Sequence, residues 1–246
     1  MRFPPLFVGA LLLGLTACYS PATMNIKLDG IRTIAITEIE EPVYFNIIAV
    51  SHRLPKRDIQ GYFGFGGAFI SVSAERAMFS QLMASQNFRV GNELQAAIVQ
   101  AMQRNGYEIA TVKIPHPRKD TVARLEELPP INADALLDVI FWNTPGYEDA
   151  FFGDFTPHLG IQVQLIDIRN RKILYSDRIL YGEGAAGVHQ VKADSRFTFK
   201  SYEAMESDPR TTVEGLRTGI PILANTVGMA LTNGSGRSIL QSPMQR

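Results

Sequence analysis

Two hydrophobic periods alternate along this chain. In Ile31–Ile39 (IRTIAITEI), β-branched residues recur at Ile34, Ile36 and, more loosely, Ile39, which predicts a strand. A second strand is expected in 43–50 (VYFNIIAV), then a polar loop over 51–58 broken by Pro55. Helical patterning begins near Ala74 and runs to Ala84. In GNELQAAIVQAMQRNGY the apolar residues Leu94, Ala97, Ile98, Ala101 and Met102 share one helical face. Asn92 is expected to cap that helix, and Asn105-Gly106 to end it. A strand over Tyr107–Ile114 follows, then a short helix over 119–128 with Val122, Leu125 and Leu128 inward. ADALLDVIFWN (133–143) predicts a buried strand with Trp142 in the core, and 144–157 a loop. LGIQVQLIDI (159–168) and ILYSDRILYG (173–182) predict a hairpin, covered on one face and wet on the other. Residues 183–207 are expected to be loop or insertion. Asp208-Pro209 then starts a helix whose apolar positions are Val213, Leu216, Ile220, Leu223, Val227 and Leu231, kinked at Pro221 and ended by Asn233-Gly234. Helices and strands mix without a regular βαβ alternation. The fold class is therefore α+β, a mixed sheet with helices mainly on one face of a single domain over 29–234.

The first eighteen residues follow neither period. Phe3–Ala17 is uncharged, too short for a spanning helix and of the length of a signal-peptide core. It ends in Leu15-Thr-Ala-Cys18, and Cys18 is the only cysteine in the chain. The sequence Leu15–Cys18 resembles the bacterial lipobox. That resemblance implies removal of 1–17, lipid on the Cys18 thiol, and a tether over 18–28. A lone thiol has no partner for a disulfide, and several acyl chains anchor stably where one does not. The alternatives are a chance cysteine after a secretion signal, or a short membrane anchor. Tyr19, in place of the aspartate that favours inner-membrane retention, points to the outer membrane, facing the periplasm.

Lys and Arg number 24 against 24 Asp and Glu. Nothing in that balance provides the basic excess that nucleic acid binding draws on. The oddest stretch is GYFGFGGAFISVS (61–73). Its glycines miss the dinucleotide fingerprint, because from Gly64 the third would fall at Phe69. It reads either as a buried glycine-rich strand or turn, or as an exposed aromatic segment that meets a partner or lipid. With the second aromatic loop it supplies the candidate contact residues Tyr62, Phe63, Phe65, Phe151, Phe152 and Phe155. The histidines at 52, 116, 158 and 189 show no ligand spacing and are expected to be solvated or capping, so no metal or cofactor is assigned. The acids of EIEE (38–41) read as a wet loop, NGSGR (233–237) lacks nucleophile-elbow spacing, and the residues nominate no catalytic group.

Over 90–182 and in the terminal helix, three motifs occur together: RNGYEIATV after a helix, INADALLDVIFW as the next strand, and QVQLIDIRNRKILYSDRI as a hairpin. This set resembles periplasmic lipoproteins of the group that includes CsgG of curli secretion, LpoB-type activators of penicillin-binding proteins, TolB amino-terminal domains and uncharacterised lipoprotein families. Leu165, Asp167 and Ile173 match its hairpin, but Arg169-Asn170-Arg171 stands where a glycine is usual. The resemblance implies no catalytic residue. It implies a non-enzymatic adaptor or assembly factor held to the membrane by lipid and bound to another envelope protein. An oligomeric pore component and an enzyme with scattered groups are the alternatives.

Overall fold

The computed structural model describes residue 28 and residues 30–49, 76–114, 122–149, 154–184 and 187–232. Its strands are β1 (Thr33–Thr37), β2 (Asn46–Ala49), β3 (Glu108–Val112), β4 (Ala135–Phe141), β5 (Gly146–Asp149), β6 (Phe155–Asp167), β7 (Lys172–Tyr181) and β8 (His189–Val191). Its helices are α1 (76–85), α2 (Val90–Arg104), α3 (Tyr202–Ser207) and α4 (Pro209–Thr232). The fold is α+β, with all eight strands in one mixed sheet. β1 lies between β3 and β4, parallel to both. β6 is antiparallel to β4, β5 and β7, and β2 pairs in parallel with β5. No helix among the described residues is long and apolar enough to cross a membrane.

The strand ends explain the motif residues. Asp134 accepts the backbone N–H groups of Arg32 (2.9 Å) and Thr33 (3.0 Å) and the Thr33 hydroxyl (3.0 Å), which ties the start of β4 to the start of β1. Those donors, the Thr33 amide foremost, hold its carboxyl down to about 2. Asp167 closes the hairpin turn by accepting the Asn170 amide N–H (3.0 Å) and side-chain N–H (2.7 Å). Arg171 takes the left-handed conformation, φ 48°, which glycine adopts without steric cost.

One face of the sheet carries α2 and α4 over the main core. All six of the predicted α4 positions are buried, and Asp208 caps that helix through the Thr211 N–H at 3.2 Å. The helix continues through Pro221, on its exposed side. Gly215 and Gly219 let it approach two buried tyrosines. A Cβ at Gly215 would stand 2.2 Å from the Tyr147 hydroxyl, and one at Gly219 2.4 Å from the Tyr181 ring. The Tyr147 hydroxyl donates to the Thr212 carbonyl at 2.9 Å.

Several expectations need correction. The other face of the sheet is not simply wet. Ala35, Leu136 and Ile166 pack there against Ile114, Ala123 and Leu128. Asp138, fully buried, fastens the crossing segment by accepting the Ala123 N–H at 2.6 Å and the Thr37 hydroxyl at 2.8 Å. Of the helix expected over 119–128, the described residues 122–128 hold a single 3₁₀ turn, Leu125–Glu127, and Leu128 before Pro129 is extended. The loop expected over 144–157 contains β5 and the first residues of β6. The insertion expected over 183–207 contains β8, a 3₁₀ turn and α3. Asn92 does not cap α2. Arg89 holds the cap position without a side-chain bond, and Glu41 reaches in from the β1–β2 connection to accept the N–H groups of Gly91 and Asn92, each at 3.1 Å. That carboxylate satisfies donors the helix leaves open and opposes its dipole.

Two stability outcomes follow. Gly215→Ala should cost about 1–3 kcal/mol in denaturant unfolding. Tyr147→Phe in the same chain should return part of that loss, since the hydroxyl is the closest obstruction. Glu41→Ala should cost about 1 kcal/mol through the lost cap, read as a lower midpoint at unchanged slope.

Candidate functional site

The two parallel strands β1 and β4 are both interrupted before their neighbours β2 and β5 resume the pairing. Along β6, Phe141 stands opposite Ile161 and Gly146 opposite His158. Residues 142–145 therefore bulge against only Leu159 and Gly160. The β1–β2 connection loops outward at the same level. Between the two irregular segments, 38–44 and 140–145, lies a cleft of about 290 Å³. It opens beyond the carboxyl ends of β1 and β4, the position at which open sheets with parallel strands commonly bind ligands.

The cleft is mostly apolar on its walls and acidic at its edge. Val43 is 77% exposed and Tyr44 39% exposed, two of the four large hydrophobic residues that the described chain presents to solvent. Tyr44 is stacked by the Arg76 guanidinium at 5.3 Å, and Arg76 also donates to the Asn46 side chain at 2.8 Å, which fixes this lip against α1. Glu38 forms an exposed ion pair with Lys113 at 3.7 Å, a contact that contributes little in water. Phe141 and Trp142 line the other wall.

The bulged wall is held from behind. Gly160 lies opposite the bulge, and the Asn143 side-chain oxygen accepts its N–H at 2.8 Å. Gly160 has no room for a side chain: a Cβ would stand 2.5 Å from that oxygen and 2.7 Å from the Trp142 indole nitrogen. The Asn143 amide nitrogen rests against the His158 ring, 3.0 Å from Nδ1 and 3.4 Å from Nε2. On its other side Nε2 is 3.3 Å from a Glu148 carboxylate oxygen. Burial lowers the His158 pKa to about 4, so the ring is neutral at ordinary pH. Burial, with Asp149 adding to it, raises the Glu148 carboxyl. The partners of His158 are an amide and a carboxylate, not a hydroxyl or thiol. These contacts place the ring behind the bulged wall.

Of the contact residues nominated from sequence, Phe155 is corrected. It opens β6, is 9% exposed, and exchanges backbone hydrogen bonds with Phe199 at 2.7 and 2.9 Å. Cys18, Tyr62, Phe63, Phe65, Phe151 and Phe152 lie outside the described residues, as do His52 and His116. His158 is buried rather than solvated, and Trp142 is half-buried at the cleft rather than in the core. His189 is partly exposed beside Asp177, 3.6 Å away. Among the described residues no group of three or more His, Cys, Asp or Glu is placed to hold a metal ion. Sequence reading missed Val43, Tyr44 and Asn143. The one available signal was the turn chemistry of Asn143-Thr-Pro-Gly146 directly after a buried strand.

No protein-family model and no curated protein matches the chain. Solved structures do resemble it. A PelC dodecamer from Paraburkholderia phytofirmans is 13% identical, with 84% of this chain and 89% of that chain covered and a TM-score of 0.34. Protein XCC0632 from Xanthomonas campestris, of family DUF330, is 9% identical over 80% and 81% of the two chains, TM-score 0.42. Lipoprotein GNA1162 from Neisseria meningitidis is 11% identical over 61% and 81%, TM-score 0.28. Likenesses this distant transfer no activity or assembly to this chain.

Gly160→Ala should displace the bulged wall. The expected result is a loss of about 1–3 kcal/mol of stability together with a shift in the emission of Trp142, the only tryptophan in the chain. Gly184→Ala should lower stability through its φ of 101° and leave that emission unchanged, since nothing lies within 4 Å of a Cβ there.

Proposed function

We propose that this protein is a non-enzymatic adaptor or assembly factor of the bacterial envelope, anchored by lipid on Cys18 at the periplasmic face of the outer membrane. In this reading the cleft between 38–44 and 140–145 receives a segment of another envelope protein. The observation that carries it is the lip: Val43 and Tyr44 stand exposed at the mouth of an apolar cleft, on backbone that Glu41 and Arg76 hold in place. Holding such a lip rigid lowers the ordering cost of docking. Tethering by lipid adds effective concentration for partners on the same membrane face. Leu15-Thr-Ala-Cys18 and the motif resemblance over 90–182 support the envelope setting.

Two experiments test it. Intact-mass analysis should find a diacylglyceryl group on Cys18 as the first residue, a modification that Cys18→Ser abolishes, and an unmodified Cys18 would remove the anchor. A photo-crosslinking residue at Val43, in intact envelopes, should give one discrete adduct that Tyr44→Ala abolishes at unchanged thermal stability. The same residue at Met229, also exposed, should not give it. An adduct of twice the chain's own mass would favour the homo-oligomeric alternative. No adduct at Val43 would end the docking reading.

A further inference from the structure

We propose that the end of the sheet remote from the cleft is a membrane-facing surface, where Arg32, Arg171 and Lys172 meet the anionic headgroups of the phospholipid layer that holds the Cys18 anchor. The inference rests on that anchor and adds an orientation to it: the cleft is turned away from the bilayer. The geometry starts where the tether leaves the fold. Leu28 packs on the main core, and its carbonyl accepts the Ile31 N–H at 3.1 Å. β1 then starts at Thr33, level with Glu108 of β3. Ile34 is level with Ala135 of β4, Ala135 with Asp167 of β6, and Asp167 with Lys172 of β7. Arg32, Asp134 and the turn over 168–171 therefore share the end from which the tether departs. The cleft lies at the other end, about 23 Å away along β6 from Asp167 to Gly160.

Connectivity puts this end nearest the bilayer, yet a chain from Cys18 to Leu28 can span about 36 Å, enough for the domain to roll over. Charge decides which way it rests. Arg169, Arg171 and Lys172 lie around one exposed turn, and Arg32 is exposed across Asp134 from them. Arg169 is paired with Asp134. Beyond that pair, Arg32, Arg104, Arg171 and Lys172 outweigh Glu108 and Asp167. The carboxyl ends of α2 and α4 point the same way and take back part of the excess. The cleft end has the opposite sign, with Glu38 and Glu40 exposed at its rim and Lys113 set against Glu38. An anionic surface attracts the first end and repels the second. Both effects fade over a Debye length, about 8 Å at physiological salt, so they act on whichever end lies against the bilayer.

The bases are spread over a turn and a strand start rather than gathered around a pocket, so what they recognise is surface charge density and not one headgroup. Resting on them leaves Val43 and Tyr44 directed away from the membrane, the side from which a segment of an envelope partner arrives.

The test uses the lipidated protein in vesicles of phosphatidylcholine and phosphatidylglycerol in equal parts, with a nitroxide quencher on the headgroup of a tracer lipid. An acylated Cys18 leaves no other thiol. A fluorophore can therefore be placed on Asn132→Cys, exposed just before Asp134, or on Val43→Cys at the cleft. Quenching is expected to be several-fold stronger at the Asn132 site than at the Val43 site. The difference should shrink in pure phosphatidylcholine, at high salt, and in Arg171→Asn with Lys172→Gln, where asparagine tolerates the left-handed backbone. Each base near an anionic surface contributes about a fivefold preference. Equal quenching at the two sites, or stronger quenching at the Val43 site, overturns the proposal. So does a preference for the Asn132 site that salt and lipid charge leave unchanged, since the tether alone would then set it. The salt and lipid arms retain every base, so they decide even if the double variant does not fold. Intact mass separates the two readings. An unmodified Cys18 removes the anchor and this orientation with it, whereas an acylated Cys18 with equal quenching overturns the orientation alone and leaves the Val43 crosslink standing.

Discussion

β6 is the strand on which the others depend. Its thirteen residues meet β5 first and β4 next, and most of its length also pairs with β7. Through β4 it carries β1 and β3, and through β5 it carries β2. A strand that serves several partners must satisfy its own hydrogen bonds wherever those partners fail to meet. They fail opposite Leu159 and Gly160, and there a side chain, Asn143, does the work of a strand. The cleft is the external sign of that repair. Its wall is irregular because four residues stand where two would continue the ladder.

The same dependence explains why α4 sits so low. The tyrosines beneath it, Tyr147 on β5 and Tyr181 on β7, come from strands that both pair with β6. Gly215 and Gly219 remove the side chains that would keep the helix away from them. The tyrosine hydroxyls are satisfied within the packing. Tyr147 donates to the helix backbone, and Tyr181 accepts the Asp194 N–H at 3.1 Å. Burial raises the pKa of both phenols, so each pairs as a neutral hydroxyl on an apolar ring.

Periodicity is a local signal, and what it could reach it located well: β1, α2, β4, the β6–β7 hairpin, and the buried face of α4 with its Asp208 cap. The elements it missed are those made by distant partners. Gly146–Asp149 has no apolar alternation, and it is a strand because Asn46–Ala49 and Phe155–His158 flank it. Gly146 is there for contact, since a Cβ would stand 1.7 Å from the Asn46 carbonyl oxygen. Glu41 looks like one of three solvated acids until α2 is placed beside it, fifty residues away in sequence. His158 shows no ligand spacing because its partners, Asn143 and Glu148, meet it only across strands. The cleft was illegible for the same reason: its two walls are about a hundred residues apart in the chain, and each alone reads as an ordinary connection.

The placement of β1 has a consequence during synthesis. It precedes the other described strands, yet its partners β3 and β4 begin only at Glu108 and Ala135. Until then both edges of Thr-Ile-Ala-Ile-Thr stand open, in a segment with high β-propensity and no charge. The hairpin of β6 and β7 closes across a short turn and is quick to form, whereas β1 must wait for loops of some 70 to 100 residues to close. The nascent chain therefore carries an unpaired, adhesive strand while the next 70 to 100 or so residues are made. That is the kind of segment a chaperone would be expected to cover.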